Sequence, residues 1–97
     1  MLRHVVMFRF REEAPPDARD SVEAGLADLP SEIEEIESYR FGADLGLRDG
    51  NFDYCLVADF ADEEAFARYV DHPAHQRFIA ERLAPVVAER VSVQYTV

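Results

Sequence analysis

The sequence predicts an α+β fold: a four-stranded antiparallel sheet with helices on one side, in the order β-α-β-β-α-β. Three observations carry this expectation. Four stretches near residues 4–10, 39–45, 54–60 and 91–97 are rich in β-branched and aromatic residues. Between the first and second, and between the third and fourth, apolar residues recur at helical spacing. Pro, Gly, Asn and Asp clusters separate the pieces. At 97 residues the chain fits a single domain, 1–97, with one modest core.

The first strand is His4 to Phe10. The run EEAPPDARDS breaks it, and its two prolines followed by acidic residues suit a helix start. Ala18, Val22, Leu26 and Leu29 recur at i, i+4, i+8 and i+11, which makes one apolar stripe. Pro30 is expected to end that helix, and Ser31 with Glu34 to form a capping box for a short turn through Ile33 and Ile36. The second strand is Tyr39 to Leu45, with Tyr39 and Phe41 on one face, followed by a turn at Asp49-Gly50-Asn51. The third strand is Tyr54 to Phe60. Asp62 caps a helix carrying Phe66, Tyr69 and Val70, and Pro73 opens another bearing Phe78, Ile79 and Leu83. Pro85 kinks or ends that helix. The last strand, Val91 to Val97, puts Val91, Val93, Tyr95 and Val97 on one face. The element order is that of the ferredoxin-like fold.

Composition narrows the function. Hydrophobic residues are 48% and charged residues 31% of the chain, as in a soluble globular protein. A net charge of −10 argues against nucleic acid and against anionic membranes as partners. Cys55 is the single cysteine, so no disulfide forms within the chain. It stands in an apolar run and reads as a small buried hydrophobe. No signal-peptide pattern and no apolar run of membrane-spanning length is present, which makes the cytoplasm the expected location.

Strands one and three are apolar on both faces, although helices can cover only one. His4, Val6, Phe8 and Phe10 alternate with Val5 and Met7; Tyr54, Leu56, Ala58 and Phe60 alternate with Cys55 and Val57. A second copy of the chain is the simplest cover for the remaining face, giving a two-fold homodimer. Arg9 and Asp59 share the parity of Met7 and Val57, and charged strand ends sit more easily at an interface rim than under helices. Val5, Met7, Cys55 and Val57 are therefore assigned to the dimer, and His4, Val6, Phe8, Leu56 and Phe60 to the helix side.

The stretch YVDHPAHQRF, residues 69–78, holds two of the three histidines. Pro73 favours the first helical position, which leaves His72 outside as the cap and His75 near the third helical residue. The two imidazoles are then poorly placed to share an ion, and no third His or Cys completes a ligand set nearby, so no metal site is expected. The positive end of the helix dipole would keep His75 neutral, as a general base requires. The Tyr69 hydroxyl could donate to a carbonyl or orient the imidazole. His4 could reach the same space, walled by Val6, Phe8, Val22, Leu26, Phe78 and Leu83. The plainer alternative is a packing tyrosine, a capping His72 and an ordinary strand-end His4.

HVVMFRF, FGADL, DYCLVADF, YVDHPAHQRF and VSVQY, in that order, resemble the stress-responsive A/B-barrel domain (Dabb) family. The resemblance spans nearly the whole chain, and Y-x-x-H-P-x-H is its most specific part. It implies a dimeric α+β barrel of ferredoxin-like subunits. Most members have no assigned activity; one is a plant polyketide cyclase that performs an aldol closure between sheet and helices. By motif match its Tyr and His roles fall on Tyr69 and His75, and His4 matches a histidine at the start of the first strand. Val22, Glu23 and Leu26 stand where helix one would line a long cavity, which implies a pocket of different shape, smaller or more polar at one end.

Three functions compete. The first is a cofactor-independent cyclase or lyase in which His75 removes a proton α to a carbonyl, Tyr69 polarises the carbonyl or helps orient His75, and His4 assists binding. The second is a stress-associated binding or structural dimer without chemistry. The third, a monooxygenase or haem-degrading relative, is disfavoured because the chain has no tryptophan and no clear haem motif.

Overall fold

The computed structural model describes Met1 to Val97. Four strands, β1 (Leu2–Phe10), β2 (Ser38–Ala43), β3 (Tyr54–Phe60) and β4 (Val87–Thr96), form one antiparallel sheet in the order β2-β3-β1-β4. Helices α1 (Ala18–Glu32), α2 (Glu63–Asp71) and α3 (Pro73–Phe78), with a π-helical turn at Ile79–Leu83, cover one face. This is the expected ferredoxin-like arrangement. No helix is long and apolar enough to cross a membrane.

The face assignment follows the strand parity. Val6, Phe8, Leu56, Ala58 and Phe60 are buried under the helices with Val22, Leu26, Leu29 and Ile33. Each large apolar side chain fully buried there is worth about 1.5–3 kcal/mol. The opposite face is open. Met7, Val91, Val93 and Tyr95 are exposed on it, Val93 at 56% and Tyr95 at 49%. Val5 lies between Val57 and Val93 in the ladder, and Met7 between Cys55 and Val91, so these residues form one continuous apolar surface. Arg3 clamps Asp59 at its end through two bonds of 2.8 and 3.0 Å.

Four local expectations change. Pro30 lies inside α1 and does not end it. Leu29 and Ile33 on either side are both buried, and Ile33 N–H donates to the Leu29 carbonyl, so packing carries the helix past the missing donor. Ser31 forms no capping box; its hydroxyl donates to the Asp28 carbonyl at 2.8 Å. β2 stops at Ala43 because Asp44 turns the chain, accepting from Gly46 N–H and the Asn51 amide, and Leu45 is left 82% exposed. β4 begins at Val87, directly after the turn containing Pro85, with a register shift between Arg9 and Phe10 where it joins β1.

Candidate active site

Two local signals position the join between α2 and α3. Asp62 accepts from Ala65 N–H at 2.8 Å and starts α2. His72 ends α2 and caps α3, its Nδ1 accepting from Ala74 N–H at 3.0 Å, with Pro73 at the first helical position. His72 is thereby committed to backbone, while Tyr69 and His75 are brought together, ring centroids 4.3 Å apart.

Tyr69 and His75 line a cavity of about 270 Å³ between the sheet and the helices. His4 enters from β1, its ring 6.3 Å from that of Tyr69 and 4.9 Å from that of Phe66. Val6, Phe8, Leu26, Phe78 and Leu83 line the same space. Val22 does not: it is fully buried in the core cluster. Nearby, Tyr54 stacks on Phe8 at 5.3 Å and donates to Glu23 at 2.6 Å. The polar end of the cavity is made instead by β4, where Arg90, Ser92 and Gln94 face the helix side.

Hydrogen bonds set the two imidazoles to opposite tautomers. His75 Nδ1 lies 3.2 Å from the Val70 carbonyl oxygen. A carbonyl only accepts, so Nδ1 carries the proton and the neutral ring keeps a free lone pair on Nε2. Gln94 Nε2 donates to His4 Nδ1 at 2.8 Å, which places the His4 proton on Nε2. Burial lowers the pKa of both rings. His4 is pushed down to about 4, first by desolvation and then by the charges of His75 and Arg90. His75 is lowered chiefly by desolvation, against which its bond to Val70 works. Desolvation is thus the largest cause that keeps His75 neutral.

Tyr69 does not orient His75 through its hydroxyl. That hydroxyl is 2.6 Å from the Tyr39 hydroxyl, and orientation of the imidazole falls to the Val70 carbonyl and to ring packing. Desolvation raises both phenols, Tyr69 to about 12, so both stay protonated donors near neutrality. Tyr39, Arg90, Ser92 and Gln94 escaped the sequence reading as site residues. The signal for the last three was present: they alternate with Val91, Val93 and Tyr95, which places them on the helix side once β4 pairs with β1. No group of three or more His, Cys, Asp or Glu side chains is arranged to hold a metal ion.

A family model described as the stress responsive A/B barrel domain matches residues 2–97. The chain belongs to that family. A stress-response A/B barrel domain-containing protein of Arabidopsis thaliana is 28% identical over 79 residues, covering 79% of this chain and 72% of the relative. Among solved structures, a dimeric ferredoxin-like protein of unknown function from Thermobifida fusca is 43% identical. The match has a TM-score of 0.91 and covers 99% of this A/B barrel chain and 90% of the other. A hydroxynitrile lyase from Passiflora edulis shares the fold at 22% identity and a TM-score of 0.87, over 99% and 92% of the two chains.

Proposed function

We propose that this A/B barrel protein is a homodimeric, cofactor-independent enzyme of the aldol and retro-aldol class, acting on small carbonyl compounds. The observation that carries the proposal is the tautomer of His75, with Nδ1–H held by Val70 and the Nε2 lone pair left for a proton in an apolar cavity. His75 removes a proton α to a carbonyl, leaving an imidazolium and an enolate. A tyrosine hydroxyl of the Tyr39–Tyr69 pair donates to the enolate oxygen. The enolate carbon attacks a second carbonyl, and the imidazolium returns its proton to the new alkoxide. In reverse, His75 takes the hydroxyl proton and the C–C bond breaks. His4, protonated on Nε2, is a further polar group on the cavity wall and assists binding. That a protein of the same fold is a lyase of hydroxynitriles supports this class of chemistry.

Cavity size sets the substrate scale. About 270 Å³ lies below the roughly 300–1,000 Å³ of sites for drug-sized ligands. This favours small carbonyl compounds over an extended polyketide chain. The open apolar face through Val5, Met7, Cys55, Val57, Val93 and Tyr95 supports the homodimer, as does the dimeric state of the Thermobifida relative.

The test is hydrogen–deuterium exchange at the α-carbon of small ketones and oxo acids, followed by NMR. The native protein should accelerate exchange, and His75→Ala should lower the enzymatic rate about 10²–10⁴-fold while leaving the fold intact. Carbonyl ligands that bind but never exchange would favour a binding module instead.

A further inference from the structure

The charge pattern around the cavity opposes that of the whole chain. The sequence carries 20 Asp and Glu against 10 Lys and Arg. Yet no carboxylate lines the cavity, and its one permanent cation is Arg90. The chain's ion pairs engage Arg3, Arg9 and Arg68, and Arg90 takes part in none of them. It projects from β4 opposite Phe8, on the same strand face as Ser92 and Gln94. Its charge acts on three of the interior polar groups: it adds to the desolvation that lowers the pKa values of His4 and His75, and it works against the desolvation that raises Tyr69. The other polar groups available to a ligand include the hydroxyls of Ser92, Tyr39 and Tyr69 and the His4 Nε2–H. A surface with net charge −10 repels anions at long range, so an anion bound here needs a local cation.

We propose that Arg90 is a specificity-determining residue that binds a ligand carboxylate, which makes the substrates of this cavity small carboxylic acids bearing a carbonyl or hydroxyl group. The anion site stands on the cavity alone; the assignment of its ligand as substrate rests on the catalytic reading above. The planar guanidinium offers paired N–H donors to the carboxylate at the polar end. The remainder of the ligand then lies along the apolar wall toward His75 and the tyrosine pair.

The experiment uses the native protein with a matched pair of probes, phenylacetate and the neutral phenylacetamide, titrated while the His4 and His75 imidazole resonances are followed. Phenylacetate should shift both rings and bind about tenfold more tightly than the amide, with the difference shrinking as salt is added. Arg90→Gln should abolish or invert this preference, whereas Arg90→Lys should keep part of it. Equal affinity for the two probes, a preference that survives Arg90→Gln, or no binding of either overturns the anion site. Charge-selective binding without α-carbon exchange of any oxo acid keeps the anion site and removes the catalytic reading. Exchange with no preference for the acid does the reverse.

Discussion

The hydroxyl oxygens of Tyr39 and Tyr69 lie 2.6 Å apart, tying the edge strand β2 to helix α2 beside the cavity. One phenol donates to the other, which keeps its own proton free, in a setting where desolvation raises both pKa values. The pair links two elements of the fold and has a proposed role in the chemistry, and two substitutions separate these roles. Tyr39→Phe should cost about 0.5–1.5 kcal/mol of stability and reduce α-carbon exchange modestly. Tyr69→Phe should reduce exchange more, because the hydroxyl it removes is carried on the ring that packs against His75. Urea denaturation and exchange rates, measured on the same samples, give the comparison. Equal kinetic losses would argue against a distinct role for Tyr69.

Activity should depend on pH through His75. Desolvation lowers its pKa from the usual 6.5, so the ring is neutral above that value and gains a proton only at lower pH. The exchange rate should therefore rise with pH along a single acid limb whose midpoint lies below 6.5 and be flat through neutrality. A limb centred above 7 would point to another base.

Stability should follow a related course. His4 has a folded pKa of about 4, against 6.5 when solvated, so the unfolded chain takes up the proton first as pH falls. Its contribution is fully present above pH 6.5 and is lost as pH falls toward 4. Asp59, lowered by its bonds to Arg3, adds a loss only below its ordinary value of 3.8. His4→Gln should flatten the upper part of the denaturation-midpoint curve and leave the lower part in place. The residual upper slope belongs to His75, whose pKa is also lowered.

Gly25 is a packing glycine. It is buried on α1, and a methyl group there would come within 2.6 Å of the Phe78 ring. Alanine gains about 1 kcal/mol in helix propensity but overpacks a core aromatic at a cost of about 1–3 kcal/mol. The clash should win, because Phe78 is itself wedged between helix and cavity. Gly25→Ala should be destabilising by thermal melt and should weaken phenylacetate binding by displacing that wall.

The outer sheet face gives a direct test of assembly. Val5 lies at the centre of it, flanked by Val57 and Val93. Val5→Glu should convert the dimer to monomer in sedimentation experiments, since a buried unpaired carboxylate is strongly disfavoured. A native protein that sediments as a monomer would remove the dimer altogether.

Much of this molecule is written locally. The alternation in β1 and β3 assigned His4, Val6 and Phe8 to the helix side and Val5, Met7, Cys55 and Val57 to the open face, because a strand has a period of two. Asp62 and His72 act as caps where their spacing predicts, because a cap bonds to backbone two or three residues away. Local rules misled where packing overrode them: Pro30 stays helical between two buried residues. The chemistry of the cavity was decided only in three dimensions. Tyr39 meets Tyr69 across 30 residues and Gln94 meets His4 across 90, so no spacing rule reports either bond. The motif around Pro73 supplied the imidazole and the phenol by itself. The proton on His75 Nδ1 and the depressed pKa of His4 came from tertiary structure, because desolvation and hydrogen-bond partners exist only once distant strands and helices close around one space.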